Sequence, residues 1–276
     1  MNLFDLWDFS DPVASLERFR QVAREAAGDT DKAFALTQVA RTFGLQGRFG
    51  DARAVLAEAD PLLPISGKQR AQYWIELGRI ENDQHHPAEA LSCFQTSLAL
   101  AREVQDEYLA VDAAHMIAIV VPKEERPETA EFALSLARKA SDERTRHWIG
   151  AISNNLGWTY MELDQPENAV QYFRESLAYR QSQSAPTPIR LARYGLGCAL
   201  RASHHLEDAI VVLNQALAMG GSIGYIEEEL AECLLSLGQP AQAKPLFQAA
   251  YDKLKANTDL DGRDSKRLSR LLEKSL

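Results

Sequence analysis

Apolar and small residues recur along this chain with helical spacing, and the clearest instance lies between Ile152 and Leu177. There Ser153, Leu156, Gly157 and Tyr160 stand at i, i+3, i+4 and i+7, which is one face of a helix. A polar turn, Asp164-Gln165, follows. Pro166 then opens a second helix, because its fixed φ suits the first helical position and the N–H it lacks would be unbonded there anyway. Ala169, Val170, Phe173, Ser176 and Leu177 form the stripe of that second helix. Gly157 and Ala169 are 12 residues apart, and small side chains at both places let the helices approach closely, with Tyr160 and Phe173 beside the contact. The stretch predicts a helical hairpin with a small-residue seam.

The hairpin recurs six times. The small residue of the first helix returns as Ala40, Gly78, Ala118, Gly157, Gly197 and Ala231, and that of the second as Ala52, Ala90, Ala130, Ala169, Ala209 and Ala243; every pair is separated by 12 residues. Four after the second small residue come Leu56, Phe94, Leu134, Phe173, Leu213 and Phe247. Three after the first come Phe43, Glu81, Val121, Tyr160, Leu200 and Leu234, so Glu81 is the one departure. Proline opens the second helix at Pro87, Pro127, Pro166 and Pro240.

This pattern resembles the tetratricopeptide repeat over about residues 30–255. The resemblance implies an all-α fold, a right-handed superhelical solenoid of about six helical hairpins whose first helices line a concave groove that holds a peptide or a partner helix. Successive units are 38, 40, 39, 40 and 34 residues apart, against about 34 in the family. The additions fall between one unit's second helix and the next unit's first, where about five residues add about 1.4 turns and deepen the groove. Kinesin light chain has similarly long repeats, and SNNLGWTYMELDQPENAVQYF is similar to them.

Outside the array, a segment and capping helix are expected over 1–28, with the helix from Pro12 to Ala26, and a C-terminal capping helix over 259–276, leaving 29–258 as the array. In the C-terminal cap, Leu268, Leu271 and Leu272 are expected inward and Lys266, Arg267, Arg270 and Lys274 outward. Gln183 to Pro188 and Gly220 to Gly224 read as the loosest connectors. The acidic, aromatic opening MNLFDLWDFSD either docks in a groove as a short linear peptide would, or packs as a staple on the first capping helix.

Composition narrows the function. A net charge of -9 opposes general nucleic-acid binding, which needs a basic field. The longest apolar run, Met116 to Val121, is too short to cross a bilayer. Cys93, Cys198 and Cys233 form no metal or disulfide spacing, which favours a reducing, cytoplasmic setting. His85-His86 and His204-His205 read as exposed turn residues rather than metal ligands, and neither a catalytic motif nor a cofactor motif is found, so no enzyme, metal or cofactor is expected.

The groove is expected to be lined by residues three and two before, and one and four after, the first small residue. These positions nominate a peptide-binding set of Arg41, Arg79, His115, Asn154, Asn155, Trp158, Tyr194 and Arg201. The arginines suit an acidic peptide or a C-terminal carboxylate, or else bridge glutamates on adjacent helices. Asn154 and Asn155 are poor helix formers with no cap to explain them, and paired asparagines at this place in the family bind a peptide backbone. Trp158 is either an aromatic anchor or a wedge between repeats. Glu227, Glu228, Glu229 and Glu232 read as a solvated face or one for a basic partner. The function expected is an adaptor for a protein or peptide ligand, with homo-oligomeric self-assembly and peptide-responsive regulation as the alternatives.

Overall fold

The computed structural model describes residues 6–64, 66–183, 186–256 and 265–276, and no strand occurs among them. Its helices group into two compact units, Met1–Trp148 and Ile149–Leu276.

In the first unit, α1 (Pro12–Glu25) precedes three hairpins: α2 (Asp29–Leu45) with α3 (Phe49–Ala59), α4 (Lys68–Asp83) with α5 (Pro87–Glu103), and α6 (Glu107–Val120) with α7 (Arg126–Lys139). A short α8 (Glu143–Arg146) follows. Asp11 caps α1, its carboxylate accepting from the Ala14 N–H at 2.9 Å, and Pro12 takes the first helical position. Leu16 and Phe19 of α1 then pack with Val39, Phe43, Ala52, Leu56 and Ile80. The start of α9 (Trp148–Glu162) closes the unit.

The second unit stacks α9 with α10 (Pro166–Ser182), α11 (Pro186–Ala202) with α12 (Leu206–Leu217), and α13 (Tyr225–Ser236) with α14 (Pro240–Ala256), and ends in α15 (Ser265–Ser275). Pro186 and Pro188 lie in the first turn of α11, not in a connector, while Ser184 and Ala185 lie outside the described residues. The Gly220 to Gly224 connector does stay irregular, with Gly220, Gly221 and Gly224 at φ 73, 65 and 112°.

The seam is as the spacing predicts. Leu56, Phe94, Leu134, Phe173, Leu213 and Phe247 are all at most 1% exposed. A Cβ added at Gly78 would stand 2.5 Å from Phe94 and one at Gly157 2.7 Å from Phe173, so these rings occupy the space that glycine leaves. In two units a serine three residues beyond the ring ties the hairpin: Ser97 and Ser176 donate to the carbonyls of Ala71 and Gly150 at 2.9 and 2.7 Å.

The turns repeat as well. Gly47, His85, Asp164, His204 and Gly238, each seven residues after the small residue, adopt positive φ. The next N–H returns to a carbonyl five residues back, as from His205 to Leu200 at 2.8 Å, and from His86 to Glu81 at 2.9 Å, forming Schellman caps. The third hairpin departs because Pro122 has no N–H to continue α6; its turn closes through Glu125 N–H to Pro122 C=O at 2.9 Å.

Glu81, the break in the apolar pattern, is buried yet matched. Arg53 of the preceding hairpin forks onto it at 2.6 and 2.8 Å, and His86 lies 3.0 Å from its second oxygen. The hydrogen bonds from Arg53 hold the Glu81 carboxyl below its ordinary pKa.

The terminal helix corrects one expectation. Leu271 is fully buried and Leu268 partly so, but Leu272 is 40% exposed. Arg267, Arg270 and Lys274 do not point outward: they turn onto α13, where Arg267 and Arg270 hold Glu228 and Lys274 meets Glu232 at 2.6 Å. Glu228 is nearly buried, and its desolvation is offset only by cations at hand. The acidic face of α13 therefore finds its basic partner within the chain.

Candidate functional site

The first unit holds a cavity of about 290 Å³ on its first-helix side. Gln38 and Arg41 of α2, Gln72, Glu76 and Arg79 of α4, and Tyr108 and Asp112 of α6 line it. Arg144, Trp148, Trp7 and Phe9 complete the wall. At its floor Arg79 forks onto Asp112 at 2.6 and 2.8 Å and reaches Glu76 at 2.7 Å. Gln72 donates to the same Glu76 oxygen at 2.8 Å. Burial works against the Arg79 charge, but Asp112 and Glu76 outweigh it and raise its pKa above the ordinary value. Its Nε, however, is buried without a hydrogen-bond partner.

Arg41 is placed differently. Its nearest carboxylate oxygen, on Glu76, is 3.6 Å away, too far for a good hydrogen bond. Burial and then the Arg79 charge lower its pKa below the ordinary value. Arg144 stacks over the Tyr108 ring at 4.1 Å.

At the mouth Trp7 lies parallel to Phe9, ring centres 4.8 Å apart, and donates from Nε1 to Gln38 at 3.0 Å. Trp7 also packs at 4.9 Å on Phe19 of α1. The described part of the N-terminal segment packs on α1 as a staple, and its Trp7 and Phe9 rings border the first-helix cavity; residues 1–5 lie outside the described residues. His115 sits behind the wall, 5.2 Å from Trp148. Burial drives its pKa down to about 4, with Asp112 opposing and Arg79 assisting.

The second unit carries the other nominated residues. Asn155 is exposed and Asn154 half-buried, with the Asn154 side-chain oxygen buried and unpartnered. Trp158 packs edge-on to Phe173 at 5.2 Å and lies 6.0 Å from Tyr194, both rings half-buried. Burial, and next Cys198, raises the Tyr194 pKa. Arg201 forks onto Glu229 at 2.6 and 3.3 Å.

Residues 151–183 match the tetratricopeptide repeat family. No curated protein sequence matches the chain. Among solved structures, RapI in its apo form superposes with a TM-score of 0.75 at 12% identity, covering 99% of this chain and 85% of that one. A chain of the APC/C hetero-tetramer Cut9–Hcn1 gives 0.65 at 16% identity, covering 95% of this chain, which spans 46% of the matched one. The kinesin light chain repeat protein of Podosopora anserina gives 0.54 at 18% identity, covering 67% and 93%.

The chain has the tetratricopeptide-repeat fold. In that fold the wider lining pattern drawn from the sequence needs correction. The position three before the small residue is mostly a packing position, since Thr37, Ile75, His115 and Glu228 are buried. The cavity is lined instead from two before and one after, and from one turn further upstream, where Gln72 and Asp112 stand six before Gly78 and Ala118. Those residues lie on the helical turn that the long repeats add, so the repeat length was the signal for them. Tyr108, Arg144 and Trp148 carried no sequence signal, whereas Trp7 belongs to the aromatic opening segment that the sequence had already set apart. No helix among the described residues is long and apolar enough to cross a membrane.

Proposed function

We propose that this tetratricopeptide-repeat chain is a protein-interaction scaffold that takes an extended peptide or a partner helix on its first helices, with Asn154, Asn155, Trp158 and Tyr194 of the second unit as anchors. The observation that carries the reading is the set of side chains on α9 and α11 that stay open to solvent: exposed Asn155 offers an amide beside half-buried Asn154, and the half-buried faces of Trp158 and Tyr194, ring centres 6.0 Å apart, offer apolar area of the kind found at interface hot spots.

An acidic preference is assigned least weight here, because the Arg201 fork is already taken by Glu229. The buried thiols of Cys93, Cys198 and Cys233, all raised in pKa by burial, suit a reducing cytoplasmic setting. The repeat scaffold is assigned no catalytic role.

The test is panning of a displayed peptide library on the wild-type chain and on Asn154→Ala/Asn155→Ala, with circular dichroism to check the fold. Peptides retained by the first and weakened about tenfold or more, about 1.4 kcal/mol, on the second support the proposal. Equal retention by both removes these asparagines from the binding face.

A further inference from the structure

The carboxylates of α13 divide into two pairs. Glu227 is held by Lys253 of α14 and by Ser222, and Glu229 by the fork of Arg201 from α11, so these two are matched inside the hairpin stack. Glu228 and Glu232 meet no cation of the hairpins among the described residues; their ion pairs come from α15. Arg267 and Arg270 converge on Glu228, and Lys274 reaches Glu232 at 2.6 Å. The same cations lie over rings of this hairpin, Arg267 at 4.4 Å from the centre of Tyr225 and Lys274 at 5.2 Å from that of Phe247. Between them Leu271 seats against Ala231, Ala243, Phe247 and Leu254. The face is an apolar seat flanked by two carboxylates, and it fits a helix with cations at i, i+3 and i+7 and leucines at i+1 and i+4.

The carboxylates set what the seat accepts. Glu228 is 2% exposed beneath α15. A purely apolar helix in the same place would leave that charge desolvated and unpaired, which is strongly disfavoured. With no helix on the seat, water solvates Glu228 instead. The face therefore takes a basic helix and rejects an apolar or acidic one.

Its own occupant is held lightly. Helix α15 has 11 residues, fewer than the roughly 12–15 that an isolated helix needs in water. Leu271 is its one fully buried side chain, while Leu272 is 40% exposed and the Arg270 side chain 52%. Contacts this few place the undocked form among minor states populated at roughly 0.1–10%. A longer partner helix that is already folded carries less ordering cost, which offsets the roughly millimolar effective concentration that tethering gives α15.

We propose that the face of α13 and α14 beneath α15 is a docking site for a basic amphipathic helix of a partner protein, with α15 as the chain's own cover, which the partner displaces. The site shares no residue with the peptide face at Asn154, Asn155, Trp158 and Tyr194, so either reading can fail without the other.

The test is fluorescence anisotropy of a labelled peptide of residues 265–276, titrated with the full chain as wild type and as Leu271→Asp, with circular dichroism to check the fold. The substitution unseats the tethered helix and leaves the face beneath it unaltered. The expected result is binding to the variant at least about tenfold tighter than to the wild type. A peptide with glutamine in place of Arg267 and Arg270 is expected to bind the variant at least about tenfold more weakly. If Leu271→Asp misfolds, Arg267→Gln/Arg270→Gln in the tethered helix loosens it with the leucine kept, and the same result is expected. No binding to a folded variant overturns the proposal, as does equal binding to both forms, which places the peptide elsewhere. Equal binding of the glutamine peptide overturns recognition by charge. A wild-type chain that sediments as a dimer, and as a monomer after either substitution, makes a second copy the occupant and overturns the assignment to a partner protein.

Discussion

His204 and His85 occupy backbone conformations that suit glycine, at φ 61 and 63°, where Gly47 and Gly238 stand in two other units. An L-residue in that region costs about 1–2 kcal/mol, offset in part by the greater freedom that glycine has in the unfolded chain. Both histidines are exposed, so nothing else is lost by replacing them. His204→Gly is therefore expected to raise the urea midpoint, by about 0.5–1 kcal/mol in stability, and Gly47→Ala to lower it by about as much. His115 makes a second prediction. Its folded pKa of about 4 lies below the ordinary 6.5, so the unfolded chain binds a proton in that interval that the folded chain refuses. Its contribution is complete above about pH 6.5 and declines as pH falls toward about 4. Unfolding titrations across this window are expected to show a shallower decline for His115→Gln than for the wild type, and parallel declines would place the titrating group elsewhere.

Each hairpin depends on one close approach, the ring or Leu four beyond the second small residue lying over the first. Where the first is glycine the partner fills the space a methyl would take, and a Cβ at Gly157 would stand 2.7 Å from the Phe173 ring. Phe173 is fully buried and also abuts Gly195 of α11, so it has nowhere to retreat. Gly157→Ala is expected to destabilise the second unit by about 1–3 kcal/mol through overpacking, measured by denaturant unfolding. Adding Phe173→Leu is expected to restore part of the loss, since Ala pairs with Leu in the Ala40–Leu56 and Ala118–Leu134 seams. A cost that persists unchanged in the double variant would point to helix α9 itself rather than the seam. The same logic explains Glu81: an apolar contact between neighbouring hairpins is replaced there by the Arg53 ion pair, so the element keeps its place with different chemistry.

Each unit carries a helix outside its hairpins, and these two helices, α1 and α15, pack by opposite chemistry. In the first unit α1 packs through the apolar Leu16 and Phe19. At the second, α15 buries Leu271 fully and lays Arg267, Arg270 and Lys274 on the acidic face of α13. Those cations are themselves partly exposed, so salt screens them and the apolar contact carries most of the stability. Deleting residues 265–276 is expected to lower stability by about 2–3 kcal/mol, the scale of one buried Leu with its partly buried neighbour. Thermal unfolding checks it, and an unchanged transition would mean that α15 does not cap the unit.

What the sequence determined by itself was the repeated local geometry: helix pairs, their 12-residue seam, the opening prolines and the seven-residue turn position. Each of these rests on contacts within one hairpin, where spacing along the chain fixes distance in space. The glycines and rings at the seam, such as Gly157 with Phe173, could be matched because steric fit is a property of residue size and register. The cavity was decided by the tertiary structure. Trp7, Asp112 and Trp148 come to one wall from separate segments, and Arg79 draws both carboxylates to itself, leaving Arg41 3.6 Å from the nearer one. Side-chain length and rotamer set that outcome, and a sequence periodicity that says only which face a residue occupies does not contain it. The fate of the acidic run on α13 was decided in the same way, because its basic partner stands about forty residues later in the chain and meets it only through packing.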